Sequence, residues 1–155
     1  GRCLFRRPSD RGGAADEALY PDRLRETITK LGMENDVLLA GAQPNETLRV
    51  WYSAADVYCL ASATEGWPNV LLESLACGTP VVATNTWGTP EIICSDDYGV
   101  LVERSAAGIA AGLQTALTRK WKSQVMLDYA AQHTWQKTAE KVVETFAQVI
   151  RAARG

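Results

Sequence analysis

Residues 56–84 read DVYCLASATEGWPNVLLESLACGTPVVAT, and the fold turns on how this stretch is parsed. DVYCLA, residues 56–61, is a short run of apolar and aromatic residues of the kind that forms a buried strand. The loop SATEGW follows. Pro68 then marks a helix start, because proline at the first helical position gives up an N–H that would be unpaired there in any case. The apolar segment behind it is closed by Gly78, a residue suited to the left-handed turn at helix ends. PVVAT, residues 80–84, is the next buried run. Strand, helix and strand in so short a span predict a crossover unit with parallel strands.

The same alternation extends in both directions. Upstream, DRLRETITKL (residues 22–31) places Leu24, Ile28 and Leu31 on one helix face, with Gly32 as its stop, and VLLA (residues 37–40) is a strand ending at Gly41. Asn45 caps a short helix carrying Leu48, Trp51 and Tyr52. Downstream, Thr89-Pro90-Glu91 starts another helix, GVLV (residues 99–102) is the last strand, and residues from Ser105 onward are helical with breaks near Arg119 and at residues 132–134. The last segment, residues 136–151, sets Ala139, Val142, Val143, Phe146, Val149 and Ile150 at spacings of three and four. Only GRCLF at the start reads as a strand stub, and the rest of the first twenty residues as loop. The class is α/β.

Composition narrows the function. The 155 residues, 46% hydrophobic and 22% charged, suit one soluble domain. Sixteen basic against eighteen acidic side chains leave a net charge of −2, which gives no reason to expect nucleic acid as a partner. Cys3, Cys59, Cys77 and Cys94 contain no Cys-x-x-Cys pair and are expected as buried free thiols in a reducing compartment, and His133 is the only histidine, so no zinc site is expected. No apolar run reaches the roughly 20 residues that span a bilayer, which makes the cytoplasm the default.

The chemistry concentrates in EGWPNVLLE, residues 65–73. A helix beginning at Pro68 leaves the N–H groups of Asn69, Val70 and Leu71 without helical partners at the positive end of the dipole, a place for phosphate. In an open parallel sheet, ligands bind outside the carboxyl ends of strands, where Glu65, Gly66 and Trp67 lie. Glu73 stands among Val70, Leu71, Leu72, Leu75, Ala76 and Cys77, so its charge needs a partner, for which two ribose hydroxyls would serve. A plainer assignment is equally open on spacing alone: Glu65 as a first-turn acid complementing the helix dipole, and Glu73 paired with an arginine at an exposed edge.

Taken in order, VLLAG, YSAADVYCLAS, the paired acids of EGWPNVLLE with seven residues between them, ACGTPVVAT and WGTPEII resemble the nucleotide-sugar-binding domain of retaining GT-B glycosyltransferases, glycosyltransferase family 4 (group 1) in particular. The resemblance covers about three quarters of the chain and is weakest over the first thirty residues or so. It implies a Rossmann-like doubly wound parallel sheet, the C-terminal half of a GT-B fold, with extra C-terminal helices. The expected organisation is a poorly patterned segment over residues 1–21, a donor-binding domain over 22–135 and an amphipathic helix over 136–155. By this resemblance Glu65, first acid of the EX7E motif, contacts the transferred sugar as the catalytic residue, and Glu73 holds the nucleotide ribose. Gly66, Trp67, Pro68, Asn69, Val70 and Leu71 support sugar and diphosphate, and Gly41 and Ala42 form the turn that approaches the base. Ser62 and Thr64 flank the crevice, with a plain loop role expected of each.

The implied function is donor binding for transfer from a nucleoside-diphosphate sugar to an acceptor held by a missing N-terminal domain. No metal or other cofactor is required, and any peripheral membrane association would come only through the missing half. The family pattern also has an early glycine and arginine followed a few residues on by a lysine; here no lysine follows Gly1-Arg2 before Lys30, so the chain is expected to begin after that strand and to be inactive alone. Two rivals remain, a nucleotide-sugar epimerase of the same architecture and a non-catalytic nucleotide-binding module.

Overall fold

A computed structural model describes residues 3–4 and 14–154. The chain divides into two compact units, Gly1–Leu48 and Arg49–Gly155. The first holds β1 (Cys3–Leu4), α1 (Ala14–Lys30) and β2 (Val37–Leu38). Its two strands are parallel, with Cys3 opposite Val37 and Leu4 opposite Leu38. Leu24 and Ile28 turn the half-buried face of α1 inward, whereas Leu31 is exposed because the chain has left the helix by then. The exit is a glycine turn: Gly32 has φ +65°, its N–H donates to the Thr29 carbonyl, and the Met33 N–H reaches back to Ile28.

Two expectations fail in this unit. Residues 14–20 are helical rather than loop, and Pro21 lies inside α1, not ahead of it. The expected strand VLLA also shortens: among the described residues the pairing covers Val37 and Leu38, opposite Cys3 and Leu4.

Helix α2 (Asn45–Ala54) begins before the division and ends beyond it. The second unit continues through β3 (Tyr58–Leu60), α3 (Asn69–Leu75), β4 (Val81–Thr84), α4 (Thr89–Ile92), β5 (Gly99–Val102), α5 (Ala106–Thr118), α6 (Ser123–Ala130) and α7 (Trp135–Arg154). Its sheet runs β3-β4-β5, all parallel. All four residues of β4 are buried, as expected of a central parallel strand covered on both faces. Alternation along the strand then sorts the core. Val81 and Ala83 join Leu71, Leu72, Leu75, Ile92, Met126 and Tyr129 on one side. Val82 joins Val102 and Ala116 on the other, against Ile109 and Leu113 of α5. Helices α3, α4 and α6 therefore cover one face and α5 the opposite one. At Gly112 a Cβ would strike the Val102 and Val82 side chains, so glycine sets the close approach of α5 to the sheet.

Pro68 is the N-cap of α3, with φ −75° and ψ 89°, and not its first helical residue. The helix ends at Leu75 with Ala76 as its C-cap, and Gly78, φ +74°, closes the turn that follows: its N–H donates to Leu75 while the Thr79 N–H reaches Ser74. Of the thiols expected to be buried and free, Cys59, Cys77 and Cys94 are free, but the first two are half-buried and Cys94 is exposed; the Cys3 side chain lies outside the described residues.

Candidate functional site

Of the two acids of residues 65–73, Glu65 lies in the loop after β3 and Glu73 within α3, and each is held by a neutral hydroxyl. The Tyr52 hydroxyl, carried by α2, donates to Glu73 Oε2 at 2.9 Å. The Ser62 hydroxyl, two residues past β3, donates to Glu65 Oε1 at 2.6 Å. Both donors are anchored in turn by threonines that bracket β4. Thr79 Oγ1 donates to the Tyr52 carbonyl at 2.7 Å, and Thr84 Oγ1 to the Ser62 carbonyl at 2.6 Å. Thr79 just ahead of β4 and Thr84 at its end thus each steady one carboxylate through a hydroxyl residue.

Glu73 is the fifth residue of α3 and sits on its exposed side, between the buried Leu72 and Ser74. It is therefore not embedded in apolar surroundings as its neighbours in sequence suggested. Among the described residues neither Glu65 nor Glu73 lies in an ion pair; the arginine bridges run from Arg25 to Asp22 and from Arg119 to Asp97. Nor is Glu65 in the first turn of α3, which begins four residues later.

The loops after β3 and β4 are stapled together. The Gly88 N–H donates to the Glu65 carbonyl at 3.1 Å, and a Cβ at Gly88 would fall on the Gly66 carbonyl oxygen. Only glycine permits that approach. Gly66 itself is exposed with open space around it. Trp87, just before Gly88, is exposed and has φ +39°, a strained value for an aromatic residue.

At the start of α3, Pro68 is buried, Asn69 exposed and Val70 half-buried, while Leu71 is wholly inside. The Leu71 N–H donates to the Pro68 carbonyl at 3.0 Å, so of the three open N–H groups expected from the sequence it is already committed. Residues 61–74 contain no lysine or arginine.

Trp67, 45% exposed, ends a line of rings. Tyr98 stacks on Tyr129 with centroids 4.0 Å apart, Tyr129 meets His133 at 4.5 Å, and His133 faces Trp67 at 6.3 Å. His133 Nδ1 lies 3.0 Å from the Tyr129 carbonyl and must carry a proton to bond it. The Tyr129 hydroxyl donates to the Ile92 carbonyl at 2.9 Å. Burial first, and then the Cys94 thiol beside it, raise the Tyr129 hydroxyl well above the ordinary tyrosine value, so it keeps its proton.

Gly41 and Ala42 follow β2 in the first unit, both exposed, and Gly41 holds φ +67° with open space around it. Among the described residues no three His, Cys, Asp or Glu side chains gather as a metal centre would need.

Sequence reasoning missed the roles of Tyr52, Ser62, Thr79, Thr84 and Gly88. Ser62 could have been suspected from its three-residue spacing to Glu65. The others had no local signal.

The fold places the chain in a class. It aligns with a sucrose-phosphate synthase from Thermosynechococcus elongatus at a TM-score of 0.79 and 25% identity, over 96% of this chain and 38% of that one. The lipopolysaccharide outer core galactosyltransferase WaaB gives a TM-score of 0.73 at 16% identity, over 94% of this chain and 48% of that one. This is the Rossmann-like parallel α/β arrangement of GT-B glycosyltransferases, with helices at its C-terminus. Residues 13–134 match the family of glycosyl transferases group 1, and the chain belongs to that family. Among curated relatives, the D-inositol 3-phosphate glycosyltransferase of Segniliparus rotundus is 31% identical over 90% of this chain, and that of Corynebacterium urealyticum 34% over 87%. The chain spans about a third of the length of these relatives. No helix among the described residues is long and apolar enough to cross a membrane.

Proposed function

We propose that this chain is the donor-binding domain of a retaining glycosyltransferase, which moves a glycosyl group from a nucleoside-diphosphate sugar to an acceptor held by a further, N-terminal domain. The observation that carries the proposal is the pair of carboxylates in the loop after β3 and in α3, each fixed by a hydroxyl and, among the described residues, neither in an ion pair. An acid held but not paired keeps most of its acceptor capacity for a ligand rich in hydroxyl donors. Family membership supports the same assignment.

In this scheme Glu73 accepts from the ribose hydroxyls and Glu65 from the transferred sugar. Trp67 gives an aromatic flank, and Gly66, pressed against Gly88, keeps the loop close to the ligand. The departing diphosphate stays on the face that the acceptor attacks and takes its proton, so the protein contributes position and electrostatics rather than a base. With no cation in residues 61–74, the charges that meet the diphosphate come from elsewhere. The chain alone then binds nucleotide weakly and transfers nothing.

The test separates the two acids. Glu73→Ala weakens nucleoside diphosphate and sugar donor alike, by about 1–3 kcal/mol, because both carry the ribose. Glu65→Gln leaves diphosphate affinity nearly unchanged and slows transfer by the complete protein about ten- to a thousandfold. Calorimetry followed by initial rates reads both. Equal loss of nucleotide affinity in the two variants overturns the assignment, and no loss in either returns both glutamates to a structural role.

A further inference from the structure

We infer that Tyr52 is a positioning residue for the nucleotide: its hydroxyl sets the orientation in which Glu73 accepts the two vicinal hydroxyls of the ribose. The inference rests on the assignment of Glu73 to the ribose and adds a specificity determinant that lies outside the acidic motif.

Tyr52 is fixed at every point but its tip. It is 6% exposed, and its ring stands edge-on to Tyr58 with centroids 5.2 Å apart and planes at 80°. The buried Thr79 hydroxyl grips its carbonyl from the residue before Pro80 and β4. A phenol held this way has a restricted reach, and its O–H donates to Glu73 Oε2, twenty-one residues away in sequence.

Glu73 is the opposite case. It stands on the exposed side of a helix, where a glutamate normally samples many rotamers in water, and a ligand would have to freeze them. The Tyr52 bond does this in advance. An ionised carboxylate has about four lone-pair sites. Tyr52 takes one on Oε2, so three remain, enough for two hydroxyls. A diol needs both oxygens at a set angle, which makes recognition of the pair more sensitive to a loose carboxylate than recognition of one hydroxyl would be.

A bond that served only to tie α2 to α3 would affect stability and nothing else. The distinguishing readout is therefore discrimination between a ribonucleotide and its 2′-deoxy counterpart. The 155-residue chain is titrated with UDP, GDP and ADP, followed by NMR because weak affinities suffice. The tightest of the three is then compared with its 2′-deoxy form. The expected preference for the ribonucleotide is about tenfold or more, the value of a hydrogen bond to a charged group. Glu73→Ala brings the ratio to near one. Tyr52→Phe keeps the ring and lowers the ratio about three- to tenfold, and the same change made in the Glu73→Ala background moves it no further, the mark of a coupled pair.

A ratio unchanged in Tyr52→Phe but lost in Glu73→Ala overturns the positioning role and leaves the ribose assignment standing. A ratio unchanged in Glu73→Ala, or no binding of any of the three nucleotides, overturns that assignment and this inference with it. Should Tyr52→Phe not fold, Thr79→Val decides, since it loosens Tyr52 through its backbone. It must narrow the ratio in the same direction, and a full ratio in that variant overturns the inference.

Discussion

Helices α3 and α7 reverse what their sequences advertise. The twenty-residue α7 carries a regular apolar stripe, yet Val142, Val143, Phe146, Val149 and Ile150 are each 45–66% exposed. The seven-residue α3 is too short to display a period with any force, yet Leu71 and Leu75 are at 0%. The reason lies next door. Helix α3 belongs to a crossover between two paired strands, so β4 and α6 are delivered against its apolar side by the topology itself. Periodicity reports that a face is apolar, not that anything in the chain covers it.

The largest effect expected from this difference is at Leu75. Leu75→Ala removes a fully buried side chain from a core shared with Val81, Ile92 and Met126, and should cost about 2–5 kcal/mol in urea unfolding monitored by circular dichroism. A loss below about 1 kcal/mol would mean that α3 is not seated on the sheet as described and would erase the contrast with α7.

How much of this was legible follows from how local each signal is. GVLV coincides with β5 to the residue because glycine and β-branched residues bound and fill it. Pro68 and Gly78 bracket α3 because proline and glycine act through their own backbone geometry, needing no partner. Within α1 weak patterning misled: the first twenty residues beyond GRCLF were read as loop, but Ala14, Ala15, Glu17, Ala18 and Leu19 are good helix formers and the helix runs on through Pro21. Of the site, both acids were legible and their holders were not. Ser62 was read only as a loop residue although it lies three positions from Glu65. Tyr52 was read as an aromatic carried by the helix capped at Asn45; that its hydroxyl meets Glu73 is a property of packing across twenty-one residues that no pattern in a single sequence carries.

An intermediate effect is expected at Tyr129, the polar anchor of the core beneath α3. Tyr129→Phe leaves the ring stack with Tyr98 but strips the buried Ile92 carbonyl of its donor, for about 1–2 kcal/mol. The pH dependence has a definite sign. Because the fold raises this hydroxyl above the ordinary value of 10.0, the proton is present in both folded and unfolded chains below about pH 10 and the contribution is complete there. Above it the unfolded chain ionises first and stability falls, until the folded hydroxyl ionises too. Thermal unfolding from pH 7 to 11 should show a steeper alkaline decline in wild type than in Tyr129→Phe. Parallel curves would remove Tyr129 as the source.

The smallest effect is expected on α7, and it is the result that could most easily reverse the comparison. Phe146 is 63% exposed, so truncation forfeits roughly a third of the 1.5–3 kcal/mol that full burial of such a side chain contributes. Alanine is also the better helix former, by about half a kcal/mol, which offsets part of that loss. Phe146→Ala should therefore change stability by no more than about 0.5 kcal/mol, and amides of α7 should exchange faster than those of β4. The measurement is made at two protein concentrations tenfold apart. A loss above about 2 kcal/mol at both would mean that the stripe is covered within the chain, and α7 would join α3 as a core helix. A loss that grows with concentration would mean that a second copy covers it, because only association makes apparent stability follow mass action.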